Sequence, residues 1–229
     1  MFRLLFLIAL LQFHQPVFST EDTVSQAVAR YLTRIHKYME DEDWINAKRE
    51  LEVTARRYFK NEDSYERALI NQLYGQFYAL QRDYKNAIPW FEKAIAKGRL
   101  PFAADLQVSY SLAQCYFQTG RYKDVIATLE NYRDKASKRG QNMAPIQLML
   151  LGIAYYQEQD TLNAYLNIAE ANATATKLNE EWLQYEFALA VKLEKYDDAV
   201  RVGQFLIFVN PEKKSCLLYT SDAADEMRR

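Results

Sequence analysis

The sequence predicts an all-α protein in which antiparallel helix pairs stack into a right-handed superhelical solenoid. The first observation is composition: the 229 residues include only 6 glycines and 5 prolines but 17 tyrosines, and 49% are hydrophobic. Such a chain can bury a substantial core and favours helices with aromatic packing. The second observation is self-similarity, because one pattern of small and large residues returns every 35 to 40 positions.

The clearest repeat unit covers residues 68–101, and two units after it, one before it and one at the end carry the same pattern. In this unit the pattern runs Tyr74, Gly75, Tyr78, Tyr84, Ala87, Phe91, Ala94 and Pro101. The small residue early in each predicted second helix is Ala47, Ala87, Val125, Ala164 or Ala199, at intervals of 40, 38, 39 and 35 residues. Five helix pairs are therefore predicted.

Each predicted element has a local reason. Small residues at Gly75, Ala113 and Gly152 allow the first helix of a unit to approach the second closely. Pro101 and Pro145 fall at boundaries between units, where proline is expected. Pro89 is expected near the start of its helix, where a missing N–H costs little, with Asn86 as the cap ahead of it.

This pattern resembles the tetratricopeptide repeat, a helix-turn-helix unit of about 34 residues. The resemblance implies a tetratricopeptide-like solenoid over residues 20–215. A single helix pair cannot bury its apolar face alone, so neighbouring units are expected to share a continuous core.

The two ends of the chain are interpreted separately. Residues 1–19 contain Arg3, an apolar run and a small-residue cleavage pattern, which predicts a secretory signal peptide and a periplasmic or secreted protein. The apolar run is too short to span a bilayer, so no membrane span is expected. SCLLYTSDAADE near the other end can be written as the nucleotides of a transposase-based sequencing adapter. Residues 216–229 are therefore expected to be non-native and the solenoid to be truncated.

Composition also argues against several functions. With 29 Lys and Arg against 30 Asp and Glu, the chain lacks the basic excess that nucleic-acid binding needs. Removal of the signal leaves His36 as the single histidine, and Cys115 is expected to be a buried apolar residue. No metal-ligand spacing or phosphate loop is present in the sequence. A non-enzymatic protein without cofactors is predicted.

The first helices of such a solenoid line a concave groove that can bind a peptide or a helix. The predicted partner-binding residues are uncharged apart from one lysine and rich in glutamine and tyrosine, which suits amide and apolar contacts with a protein partner. They are His36, Gln72, Gln76, Tyr110, Gln114, Phe117, Gln118, Tyr156, Gln157, Gln184 and Lys192, with Leu32, Met39 and Ile153 in the same stripe. Asn172-Ala173-Thr174 fits a glycosylation sequon but falls on a predicted helix end.

A narrower resemblance covers roughly residues 70–215, through LPFAADLQVSYSLAQCYFQTGRYKDVIATLENY and NEEWLQYEFALAVKLEKYDDAVRVGQFLIFVNPEKKS. These segments are similar to exported tetratricopeptide proteins that accompany bacterial TonB systems. The resemblance implies an accessory protein that contacts TonB, ExbB or ExbD during uptake across the outer membrane. Two alternatives remain open: a periplasmic adaptor for envelope assembly or secretion, and a regulatory or hydrolytic protein whose active domain is missing.

Overall fold

A computed structural model describes residues 26–58 and 63–210, and these contain ten helices and no strand. The predicted signal peptide and the predicted adapter segment lie outside the described residues. The helices are α1 (Gln26–Glu40), α2 (Trp44–Tyr58), α3 (Tyr65–Leu80), α4 (Tyr84–Ile95), α5 (Phe102–Gln118), α6 (Tyr122–Ser137), α7 (Pro145–Gln157), α8 (Thr161–Thr174), α9 (Glu180–Lys192) and α10 (Tyr196–Val209).

The helices form the five predicted pairs, α1–α2 to α9–α10. Each helix packs mainly against the helices before and after it in the chain, and the first helices α5 and α7 also touch each other. This arrangement of successive contacts is the one expected of a stacked array of helix pairs.

The turn inside each pair is short because one residue adopts a left-handed backbone conformation. Gly120 fills this position in the third pair with φ of 74°. The other four turns place an ordinary residue there, with φ between 55° and 65°: Glu42, Arg82, Gln159 and Glu194. Only glycine adopts this conformation without a steric cost, so these four turns are locally strained.

Aspartate caps the second helix in three of the five pairs. The carboxylates of Asp43, Asp83 and Asp160 each accept a hydrogen bond from the backbone N–H three residues later. The residue three positions later is an asparagine in each case, and its side-chain amide donates a second hydrogen bond back to the aspartate. Capping satisfies backbone donors that a helix start leaves free. The expectation that Asn86 caps α4 was therefore wrong: Asp83 is the cap and Asn86 supplies the donors.

The expectation for Pro89 was also wrong. Helix α4 begins at Tyr84, which places Pro89 in the second helical turn instead of the first. At that depth proline deprives the Lys85 carbonyl of its usual helical donor. The ring is exposed on the outside of α4, so the cost is limited to the backbone.

The core confirms the predicted register. All five aligned residues, from Ala47 to Ala199, are at most 2% exposed. A methyl group built on Gly75 would lie 2.5 Å from the Phe91 ring, and one on Gly152 would lie 2.5 Å from Ile168. Glycine at these two positions therefore allows a close approach between the helices of one pair.

Candidate functional site: the first-helix face

The candidate site is one face of the first helices, here called the first-helix face. It consists of five residues per helix at the same register, spaced as i, i+3, i+7, i+10 and i+11 so that they share one side of a helix. They are Ala29, Leu32, His36, Met39 and Glu40 in α1; Leu69, Gln72, Gln76, Ala79 and Leu80 in α3; Gln107, Tyr110, Gln114, Phe117 and Gln118 in α5; Ile146, Met149, Ile153, Tyr156 and Gln157 in α7; and Glu181, Gln184, Ala188, Val191 and Lys192 in α9.

Exposure varies strongly along this face. The residues of α3 are half-buried throughout, and the middle of α7 is closed, with Met149 only 2% and Ile153 only 5% exposed. In α9 all five residues are exposed. Met39 is also buried, so Met39 and Ile153 were wrongly placed among the groove residues. The exposed residues of the face lie at the end of α1, towards both ends of α5 and α7, and along α9.

His36 lies half-buried on α1. Its Nδ1 is 3.0 Å from the carbonyl oxygen of Leu32, one turn earlier on the same helix. Burial lowers the pKa of the imidazole, although the Leu32 carbonyl and the charge of Glu40 act in the opposite direction. The contact with Leu32 holds the ring against its own helix.

The glutamines of α3 are more enclosed than predicted. Gln72 and Gln76 are half-buried, and the structure records no hydrogen-bond partner among the described residues for their buried side-chain oxygens. Both oxygens are closed off from the surface, so Gln72 and Gln76 do not offer them to a partner on this face.

The predicted residues of α5 lie beside these glutamines in the register but are packed differently. Burial raises the pKa of Tyr110 to about 12, while its hydrogen bond with Gln114 acts to lower it. Phe117 packs edge-on against Tyr122, with the ring centroids 5.5 Å apart. Gln118, at the end of α5, is exposed. On this face of α5, Gln107 near the start of the helix and Gln118 at its end are therefore the exposed side chains.

Tyr156 and Lys192 come together, as the prediction of a common surface requires. The Lys192 Nζ lies 5.9 Å from the centroid of the Tyr156 ring, which is within the range of a cation–π contact. Tyr156 is 42% exposed, and Val191 at the same register of α9 is 40% exposed. Gln157 and Gln184 are exposed too, and Gln184 donates a hydrogen bond to Glu180.

Sequence reasoning missed three accessible residues on α9: Glu181, Ala188 and Val191. They occupy the same register positions as the face residues of the earlier first helices. Those positions can be counted from the small residues Gly75, Ala113 and Gly152, and the same count in α9 would have found them. Phe187 occupies the equivalent position in α9. The signal was lost because a large residue stands there.

The described residues show little material for catalysis. They contain no group of three or more His, Cys, Asp or Glu side chains that could hold a metal ion. Cys115 is buried as predicted, and burial raises the pKa of its thiol to about 12, which disfavours the reactive thiolate. Within the described part of the chain, no helix is both long and apolar enough to cross a bilayer.

The sequon at Asn172 is enclosed by the fold. Asn172 is buried, and its side-chain nitrogen donates to the Trp182 carbonyl and to the Glu186 carboxylate, at 3.1 and 2.8 Å. Glycosylation would need this nitrogen on the surface, so the folded protein does not present it as an acceptor.

Comparison with known proteins supports the architecture. Residues 80–143, which contain α4 to α6, match the family profile described as anaphase-promoting complex, cyclosome, subunit 3. A tetratricopeptide repeat protein from Parabacteroides merdae has a similar structure, with a TM-score of 0.61 and 15% identity over 89% of this chain and 74% of that one. The chain folds as a tetratricopeptide-repeat solenoid.

Other solenoids are comparably similar. MamA from Desulfovibrio magneticus RS-1 gives a TM-score of 0.62 at 18% identity, covering 84% of this chain and 98% of that one. PilW, described as a widely conserved type IV pilus biogenesis factor, gives 0.51 at 17% identity, covering 82% and 96%. A search of curated protein sequences finds no match. At these identities the similarities establish the fold of the solenoid alone.

Proposed function

We propose that this solenoid is a scaffold that binds a protein partner on its first-helix face, at the ends of α5 and α7 and along α9. The observation that carries the proposal is the exposed group formed by Tyr156, Val191 and Lys192. Exposed aromatic and aliphatic side chains beside a cation are typical of surfaces that bind other proteins. No cofactor is part of the proposal, and neither is nucleic acid.

The narrower form of the proposal is an accessory role in TonB-dependent uptake, with TonB, ExbB or ExbD as the partner. It rests on the resemblance of two sequence segments to exported proteins of such systems. It also requires export, which the predicted signal peptide at residues 1–19 would provide. A second candidate is a periplasmic adaptor for envelope assembly, and the structural likeness to the pilus biogenesis factor PilW favours it among the alternatives.

Site-specific photocrosslinking tests the proposed surface. A photoreactive phenylalanine analogue is introduced at Gln118 or Gln157, and in a control at Lys85 or Asn131, all of which are exposed. The two control positions lie on the outside of the second helices α4 and α6. The full chain is expressed in Gram-negative cells that carry tagged TonB, ExbB and ExbD, and is irradiated there.

Crosslinks to a defined protein from Gln118 and Gln157, but not from Lys85 and Asn131, are the expected result. A crosslink to a tagged TonB-system component would establish the narrower role, and a crosslink to an assembly factor would replace it by the second candidate. Equal crosslinking from both faces, or none from the first-helix face, would contradict the proposal as a whole.

A further inference from the structure

The first-helix face of α9 differs from that of every other first helix by its charges. Its first position is Glu181 and its last is Lys192, whereas the equivalent positions of α3, α5 and α7 are all uncharged. In α1 only the last position is charged, as Glu40. A face with opposite charges at its two ends is therefore specific to α9.

Both charges are available to a partner. Among the described residues, no ion pair within 4.0 Å is recorded for Glu181 or for Lys192, and both side chains are exposed. The contact that the structure records for the Lys192 ammonium is the one with the Tyr156 ring, which leaves its hydrogens free for a carboxylate.

Between the two charges the face is uncharged. Gln184, Ala188 and Val191 are all exposed, and Tyr156 of α7 adjoins the Lys192 end. Glu181 and Lys192 are 11 residues apart, which corresponds to about 16 Å along a helix. Alternate side chains of an extended peptide face the same side, so charged residues four positions apart both face the helix at a separation of about 13 Å, and the length of a lysine side chain covers the remaining distance.

We infer that α9 and the end of α7 bind an extended segment of a partner protein that carries a basic and an acidic residue four positions apart, with apolar residues between them. The acidic side chain pairs with Lys192, the basic one with Glu181, and an apolar side chain packs on Val191 and Tyr156. This inference rests on the proposed function and names the chemistry of the partner.

The two ion pairs would contribute more to the choice between partner segments than to the affinity for any one of them. An exposed ion pair contributes modestly to binding, but a like charge at the same place is repelled. Both charges also complement the dipole of α9, since Glu181 lies in its first turn and Lys192 in its last. The test therefore measures whether charge variants change the preference between peptides. If Glu181 and Lys192 only stabilised α9 through its dipole, that preference would not change.

The probes are three sets of labelled five-residue peptides with blocked termini and the same apolar residues at positions two to four. The first set has aspartate and lysine at the two ends, the second has two aspartates, and the third has two lysines. A peptide can bind along the face in either direction. Because the three sets differ only in their charges, a difference in binding between them reports the charges and not the direction. Binding to the full chain is measured by fluorescence anisotropy at low and at high salt.

The unmodified protein is expected to prefer the mixed set by about tenfold at low salt, with a smaller preference at high salt. Glu181→Lys should move the preference to the two-aspartate set, and Lys192→Glu to the two-lysine set. Lys85→Glu, an exposed change on the outside of α4, should leave the preference for the mixed set unchanged. Thermal melts of each variant verify that the fold is retained.

Equal binding of the three sets, no binding of any set, or variants that do not change the preference would overturn the inference. So would self-association that both charge variants abolish, because the face would then bind a second copy of the chain. If the first-helix face still crosslinks to a partner while the charge variants bind all peptide sets alike, the proposed function stands and this inference alone fails.

Discussion

One interaction between a small and a large side chain recurs inside the helix pairs. Gly75 packs on Phe91 and Gly152 packs on Ile168, with the small residue on the first helix. In the last pair the arrangement is reversed: Phe187 stands at the position of Gly75, and Gly203 stands at the position of Phe91. In four of the five pairs one helix supplies a small residue at the crossing, whereas in the first pair the equivalent residues, Ile35 and Leu51, are both large and fully buried.

Alanine substitution should have opposite effects at two of these glycines. The added methyl group of Gly75→Ala would lie 2.5 Å from the buried Phe91 ring, so the variant should be destabilised by about 1–2 kcal/mol. In Gly203→Ala the nearest atom is 3.5 Å away, an ordinary contact, and the higher helix propensity of alanine should stabilise the variant by up to about 1 kcal/mol. Urea denaturation measures both. Shifts of the same sign would contradict the packing described at one of the two crossings.

At the scale of the elements, hydrogen bonds between tyrosine and glutamate connect successive pairs. The Tyr116 hydroxyl on α5 donates to Glu92 on α4 at 2.6 Å, and the Tyr155 hydroxyl on α7 donates to Glu130 on α6 at 3.0 Å. These residues occupy equivalent positions in successive units. At the junction of α8 and α9 both positions are alanine, Ala169 and Ala190, so donor and acceptor are lost together.

The junction of the last two pairs is connected by other polar contacts. Glu186 on α9 is 1% exposed and accepts hydrogen bonds from Asn172 on α8 and from Arg201 on α10, at 2.8 and 2.9 Å. The Tyr165 hydroxyl donates to Asp198 at 2.7 Å. A buried carboxylate is tolerated only while such partners satisfy it.

Removal of the guanidinium that pairs with Glu186 should therefore be costly. Arg201→Met is expected to destabilise the protein by about 3 kcal/mol, because it leaves a buried carboxylate with one amide donor. Arg99→Met, which removes an ion pair with Asp63 whose side chains are both at least half exposed, should change stability little. Chemical denaturation of the two variants measures the difference. If the two variants lost a similar amount of stability, the ion pair with Arg201 would not stabilise the buried Glu186 carboxylate as described.

Alkaline pH should destabilise the protein through its tyrosines. Burial, with the Glu130 hydrogen bond adding to it, raises the pKa of Tyr155 to about 12, and burial likewise raises the pKa values of Tyr116 and Tyr165. In the unfolded chain tyrosine ionises near pH 10. The folded state thus holds more protons between pH 10 and 12, and the stability present below pH 10 is lost as pH rises through this interval.

Urea denaturation at several pH values from 8 to 11.5 tests this expectation. The free energy of unfolding should be nearly constant up to about pH 9.5 and then fall. Tyr155→Phe should reduce the slope above pH 10, since one of the retained protons is gone. A free energy that is independent of pH up to 11.5 would contradict the raised pKa values.

At the scale of the whole molecule, the buried residues of the described ranges 26–58 and 63–210 form one large cluster and two small ones. The large cluster contains residues of α3 to α10, a second joins α1, α2 and α3, and a third lies between α9 and α10. In a stack of repeats, each unit is stabilised by the neighbours that it contacts. The inner pairs contact neighbours on both sides.

Amide hydrogen exchange should follow this difference. The slowest exchange is expected in α3 to α8, and faster exchange in α1, α2, α9 and α10, because among the described residues each outer pair packs against a neighbouring pair on one side only. Mass spectrometry of peptides from each helix measures it under native conditions. Uniform protection in all ten helices would instead indicate that the described solenoid unfolds as one cooperative unit.

The candidate site shows where sequence reasoning reaches its limit. Periodicity predicts one face that contains Gln118, Tyr156 and Lys192, because side chains at helical spacing share a side. It did not show that Met39 and Ile153 are buried or that α9 is exposed along its whole length. Whether a residue at a given register position is exposed depends on which neighbouring helix packs against it. The sequence of one helix does not contain that information.

The sequence by itself determined the number of helix pairs, their register and the small residues at most of their crossings, because these follow from patterns within about 40 residues. The tertiary structure decided which part of the first-helix face is accessible and how the last pair is joined to the rest. Phe187 and Gly203 illustrate the difference, because each taken alone departs from the repeat. In the structure they face each other, and a methyl group built on Gly203 would lie 3.5 Å from the Phe187 ring, which shows that the small residue compensates for the large one. Compensation of this kind depends on contacts between helices, which the order of residues along one helix does not contain.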